Sequence, residues 1–305
     1  MTRRQTGLLL ALATATISGF AVFLNTYGVK AVGNATTYTT LKNTVAFVVL
    51  AGLVSALAAR SAGGSSSVLT RPAGARQWLG LAVVGVLGGA VAFVLFFEGL
   101  ARASSTNAAF LHKTLLIWVA LLAVPLLRER IGGWHVLAIG LLVVGQIGLA
   151  GGPSTLFGPG EAMVLAATML WAVEVVLAKW LLAGLSSWTL ALARMGIGSA
   201  VLLAWTGLRG GLGGVSALTG EQWGWVLLTG VLLAGYVGTW YAALARAQAI
   251  DVTAVLVVGA VITAALAAAV QGAPLATNAG WLVLVLVGGA LIAVPAGRRP
   301  QKALA

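Results

Sequence analysis

The stretch GLARASSTNAAFL, Gly99–Leu111, has a counterpart in ALARAQAIDVTAVL, Ala243–Leu256. Leu100-Ala-Arg-Ala matches Leu244-Ala-Arg-Ala 144 residues later. Each copy closes one apolar run and leads through a short turn into the next. Four letters carry little in an alanine-rich chain, but their matching position carries more. Lys42 and Arg194 form a second echo, each at a similar depth in an apolar run after a polar turn, GNATTYTTLK (33–42) and GLSSWTLALAR (184–194).

The 305 residues are 60% hydrophobic and 8% charged, whereas a soluble domain carries about 25% charged residues. No core of this size hides so much apolar side chain from water, so the solvent for most of the chain is lipid. The 41 glycines suit helices that approach closely in a bilayer. The formal charge of +12 reads as basic loops on one membrane side rather than as a nucleic-acid footprint. The absence of cysteine excludes disulfides and thiolate metal sites, and His112 and His135 are too far apart for a helical metal pair.

Runs of the length a span requires lie near Gly7–Leu24, Thr37–Ala59, Trp78–Leu100, Asn107–Leu127, Trp134–Ala150, Ala162–Leu182, Trp188–Leu208, Gln222–Leu244, Val252–Gln271 and Ala279–Val294. The opening MTRRQTG and its apolar sequel resemble a signal peptide, but no small-x-small cleavage site follows closely, so a retained first span is expected. Clusters such as GGPSTLFGPG (Gly151–Gly160) mark loops. An N-terminus in the cytoplasm places Arg3, Arg4, Arg60, Arg71, Arg76, Arg128, Arg130, Lys179, Arg246, Arg298, Arg299 and Lys302 inside, and only Lys30, Arg102 and Arg209 outside. Trp78, Trp134, Trp188 and Trp223 fall where an aromatic belt sits. The expected fold is an all-α polytopic membrane protein of ten transmembrane helices. They form two inverted five-helix repeats, 1–150 and 151–305, the second ending in a short basic cytoplasmic tail. Five being odd, the second half enters the bilayer from the opposite face, and such repeats bind substrate near the midplane.

The segments FFEGLARASSTNAAFLHKTLLIWVALLAVPLLRERIGGWHVLAIGLLVVG (Phe96–Gly145) and YAALARAQAIDVTAVL (Tyr241–Leu256) resemble the EamA-type permeases of the drug/metabolite transporter superfamily. Glu129-Arg130 supplies that family's dipeptide at the cytoplasmic end of an apolar helix, and Gly140 and Gly145 lie in the helix that follows. QGAPLATNAGW (Gln271–Trp281) lacks the corresponding acid. The resemblance implies a ten-helix permease of the inner membrane, both termini cytoplasmic, moving amino acids, metabolites or drugs.

His112 and Lys113 lie roughly 8–10 Å below the outer end of the fourth span, at about 1.5 Å per residue. A lysine charge at the bilayer centre costs about 2.5–3.5 kcal/mol on insertion scales, so this pair is expected to face the bundle interior or a wet cavity. Both are expected to bind or steer a substrate carboxylate, with Glu98 pairing one of the cations. The plainer alternative is a salt bridge or backbone contact between helices. Lys42 and Arg194 are weighed alike, as site residues or as ties to an adjacent loop. Glu174 is a candidate proton carrier, or the partner of Arg194 or Lys179. Asn25, Gln146 and Gln271 offer hydrogen bonds, and Trp171, Tyr236, Trp240 and Tyr241 offer aromatic walls. Gly85 and Gly89 have a close-contact spacing, and Pro125 is placed to bend the fourth helix.

No GxxxxGK[ST] stretch is present. The expected function is therefore secondary transport of a small carboxylated or amphipathic metabolite, such as an amino acid, by alternating access. The alternatives are a channel or a lipid- or metabolite-processing membrane enzyme. Against the enzyme stand a lack of cysteine and scattered acids. No cofactor is expected. The bilayer and a small molecule are the expected partners, with coupling to a proton gradient and a monomer or homodimer as the working unit.

Overall fold

The structure, a computed structural model, describes residues 1–61, 68–100, 102–103, 108, 111–149, 151, 157–273 and 275–294. Asn107, Ala150 and the tail residues Arg298, Arg299 and Lys302 lie outside them.

Among the described residues the chain is helical and has no strand. The helices are α1 (Arg3–Val32), α2 (Ala35–Ser61), α3 (Ala75–Leu100), α4 (Leu111–Leu127), α5 (Gly133–Leu149), α6 (Pro159–Leu181), α7 (Ser187–Leu208), α8 (Gly220–Leu244), α9 (Ala249–Gln271) and α10 (Leu275–Leu291). Seven are long and apolar enough to cross a bilayer; α4, α5 and α10 are apolar but shorter. Their outer faces stay apolar, with Val48, Leu121, Leu126, Val136, Val231 and Val283 exposed, as lipid contact demands.

The two halves are inverted in the packing itself. Helices α2 and α7 hold equivalent places and run antiparallel: Thr37 bonds Gly211, Thr40 meets Thr206, and a Cβ at Gly196 would press on Phe47. Helices α5 and α10 do the same, with Gly145 against Val285 and Gly288 against Leu142. A two-fold axis in the membrane plane produces such antiparallel self-pairs.

The same symmetry explains the repeated Leu-Ala-Arg-Ala. A Cβ at Gly7 would come within 2.8 Å of Ala247 Cβ and 3.0 Å of Arg246 Cβ. A Cβ at Gly160 would come within 2.6 Å of Ala103 N and 2.9 Å of Arg102 Cβ. Each half thus begins on a glycine seated against the Arg-Ala step of the other half. Likewise Gly85 sits on Ile197, and Gly230 sits on Val45.

Three irregularities interrupt the helices. Helix α3 is π-helical over Val84–Val91, a form often found at functional sites. Helix α4 breaks at Thr114 and α9 at Val257–Val258, equivalent positions once the repeats are aligned on Leu-Ala-Arg-Ala. Broken helices at equivalent places in two halves are a transporter feature. Pro125 lies in the last turns of α4, and Arg128 then takes a left-handed conformation at φ 54°.

Candidate functional site

The centre of the bundle holds a buried polar cluster drawn from four helices. The Tyr241 hydroxyl of α8 donates to Glu174 Oε1 of α6 at 2.5 Å, and Arg194 Nε of α7 lies 3.5 Å from the same oxygen. Arg194 Nη2 and Trp171 Nε1 both donate to the Gly88 carbonyl, each at 3.1 Å. That carbonyl belongs to the π-helical turn of α3, where the shifted backbone pairing lets side-chain donors reach it. A Cβ at Gly88 would clash with Glu174 Cγ, so only glycine lets the carboxylate approach. The Arg194 guanidinium lies 5.6 Å from the Phe93 ring centre.

An aromatic wall continues from this cluster. Trp171 contacts Phe93, Phe96 and His112 at ring-centre distances of 5.4, 5.3 and 5.2 Å. Trp240 is buried and stacks on Tyr236 at 5.9 Å.

A second cluster surrounds Lys42. Its Nζ donates to Asn25 Oδ1 at 3.1 Å and lies over the Phe97 and Tyr38 rings at 5.2 and 5.3 Å. The Tyr38 hydroxyl lies 2.7 Å from both Asn25 Oδ1 and Thr229 Oγ1. Lys42 is buried, yet no carboxylate pairs it among the described residues. Above Phe97 opens a cavity of about 360 Å³, lined by Asn34, Thr36, Thr37, Glu98, Thr206 and Arg209 among others. It lies at the end of the bundle opposite Arg3 and Arg4.

Polar contacts between helices tie the basic end together. The reversal at Arg128 carries Glu129 across to α9, where Oε1 and Oε2 accept the amides of Ala249 and Ile250 at 2.6 and 3.1 Å. These are orphan donors of a helix start, the natural place for a carboxylate. Burial pushes the Glu129 carboxyl up from its ordinary range, and the two amide bonds pull against that shift. Lys179 Nζ donates to the Leu244 and Ala247 carbonyls, both at 2.5 Å, at the end of α8. Asp251 is buried and contacted by Arg4 Nε at 3.1 Å and His135 Nε2 at 3.2 Å. Arg4 also donates to the Ile292 and Ala293 carbonyls, joining both ends of the described chain.

Several expectations change. Glu98 pairs with Arg102 at 2.7 Å, four residues on, and not with Lys42, His112 or Lys113. One helical turn brings that arginine closer than any helix-to-helix cation. His112 and Lys113 face different neighbours: His112 meets the aromatics of α3 and α6, whereas Lys113 lines a separate small cavity with α5 and α9. Neighbouring residues diverge by about 100° around a helix of 3.6 residues per turn. Of the two partners considered for Glu174, Arg194 takes it and Lys179 turns to backbone carbonyls. Lys42 and Asn25 do meet, as do Glu174 and Tyr241. The contacts that Glu129, Asp251 and His135 make between distant helices are not foreseen from the sequence. The Glu-Arg dipeptide was the one available signal for them.

Residues 5–151 and 158–294 each match the EamA-like transporter family. The chain belongs to the EamA-like transporter family. It is a multi-pass membrane transporter of the drug/metabolite transporter superfamily. No curated protein sequence matches it significantly. Its fold is similar to a solved structure described only as "Crystal structure of protein", at 18% identity and a TM-score of 0.72, over 95% of this chain and 96% of that one. For this EamA-like chain the likeness concerns the fold alone.

Proposed function

We propose that the chain is a secondary transporter that moves a small carboxylated or amphipathic metabolite, such as an amino acid, by alternating access between two halves, 1–150 and 151–305. The observation that carries this reading is the pairing of a basic end tied together by polar contacts between helices with a cavity of about 360 Å³ at the opposite end, above a lysine with no ion pair among the described residues. A buried lysine with no counter-charge is costly in a bilayer. A substrate carboxylate arriving past Phe97 supplies that charge, with Asn25 fixing the Lys42 ammonium. The wall of Phe96, Phe97, Trp171 and Trp240 suits an apolar side chain.

In this account the basic end faces the cytoplasm of the inner membrane, by the placement of Lys and Arg, and the cavity faces outward. Proton coupling runs through Glu174: a proton taken there removes its attraction for Arg194 and frees α6 to move against α7. A single chain holds every part of this machinery, and a homodimer is the other assembly open to it.

The test is uptake into proteoliposomes. A carrier gives saturable flux and counterflow with carboxylated solutes, and an imposed pH gradient changes the rate in wild type but not in Glu174→Gln. Flux that rises linearly with solute and shows no counterflow points to a channel and overturns the reading. Indifference of the wild type to the gradient removes the proton from it.

A further inference from the structure

Lys113 stands apart from the machinery above. It lines a cavity of about 30 Å³ between α4, α5 and α9, with Thr114, Leu116, Ile117, Leu142, Val143, Gln146 and Val257. This cavity shares no lining residue with the outward one. Lys113 and Val257 meet here as equivalent residues of the two halves, each at the break in its helix.

The polar groups of the cavity are donors in need of an acceptor. Lys113 has no hydrogen bond or ion pair among the described residues. Gln146 is 8% exposed, and its buried Nε2 has no partner. The Thr114 hydroxyl is already engaged, donating to the Leu111 carbonyl at 2.6 Å and accepting from Trp118 Nε1 at 3.1 Å. The remaining lining side chains are aliphatic. None of the chain's six acidic residues lines the cavity. Glu98, Glu129, Glu174 and Asp251 have partners elsewhere.

We propose that Lys113 and Gln146 hold one monovalent anion of halide size, such as chloride, at the junction of the two broken helices. Volume and charge both favour it. The cavity, about 30 Å³, is small and half-open, and one small monovalent ion balances one ammonium where sulfate or phosphate leaves negative charge uncompensated. A half-buried ammonium at this depth of a bilayer calls for a negative partner, which a water molecule does not supply. An anion there ties α4 to α5 beside the α9 break, so its occupancy stiffens the region around which the halves move.

The test uses the purified full chain in detergent with gluconate as the sole anion. Unfolding is followed by tryptophan fluorescence as bromide, chloride or sulfate is added at constant ionic strength. Bromide and chloride raise the melting temperature saturably, by about 2–4 °C when the site fills, and sulfate does not. Lys113→Met abolishes the response, and Gln146→Leu weakens apparent bromide affinity about tenfold. Should Lys113→Met fail to fold, Gln146→Leu and the anomalous bromide signal in wild-type crystals carry the test, with a peak expected at Lys113 Nζ. An equal response to sulfate, a saturable bromide response surviving in Lys113→Met, an unchanged affinity in Gln146→Leu, or no bromide peak at Lys113 overturns the proposal.

Discussion

Glu174 reaches the middle of the bundle because Gly88 has no side chain: a methyl group there would occupy the space of the carboxylate's own Cγ. The π-helical turn that carries Gly88 also turns its carbonyl toward Arg194 and Trp171. One glycine therefore sets both the depth of the acid and the position of the arginine facing it. Gly88→Ala should displace Glu174, cost about 1–3 kcal/mol of stability through overpacking, and lower transport more than Gly140→Ala. Nothing lies within 4 Å of a Cβ at Gly140. Thermal unfolding and flux of the two variants make the comparison.

The Glu174–Arg194 pair should behave as a buried pair does. Removing one partner strands the other, at about 3–5 kcal/mol, whereas replacing both with neutral groups of similar volume recovers much of the loss. Arg194→Met and Glu174→Gln should therefore each destabilise more than the double variant. A double-mutant cycle on unfolding free energy checks this. Additive losses would mean that the pair at 3.5 Å contributes nothing.

Lys42 should matter for transport more than for folding. It makes one hydrogen bond, to Asn25, and no ion pair among the described residues. Lys42→Met should remove an uncompensated buried charge and leave melting temperature equal or higher, while carboxylate uptake falls at least about tenfold, the value of one lost charge-assisted contact. Uptake that persists with unchanged KM would place the carboxylate elsewhere.

Much of this architecture is visible in the residues. The apolar runs give the helices, and the recurrence of Leu-Ala-Arg-Ala at Arg102 and Arg246 gives the repeat; that each arginine sits against an opening glycine of the other half shows only in the fold. What stays hidden depends on contacts between distant segments. Glu129 stands 120 residues before the amide it caps, and its role is invisible until α4 and α9 are side by side. Asp251 and His135 form no motif along one helix, so spacing rules pass over them. The breaks at Thr114 and Val257–Val258 contain no proline to announce them. The divergence of His112 from Lys113 is a matter of helical phase, set by which neighbours α4 meets.

The account stands on reciprocal opening of the two ends, and the chain's lack of cysteine makes that measurable. Single cysteines at Asn34, exposed and lining the open cavity, and at Val252, buried at the basic end, are labelled with a small maleimide. In the wild-type background Asn34→Cys should react readily and Val252→Cys hardly at all. Glu129→Gln removes two charge-assisted bonds at the basic end, each worth about 1.5–3 kcal/mol. It should raise labelling at 252 by at least about tenfold and lower labelling at 34. Both positions reacting together, or faster labelling at 252 with none lost at 34, would contradict alternating access.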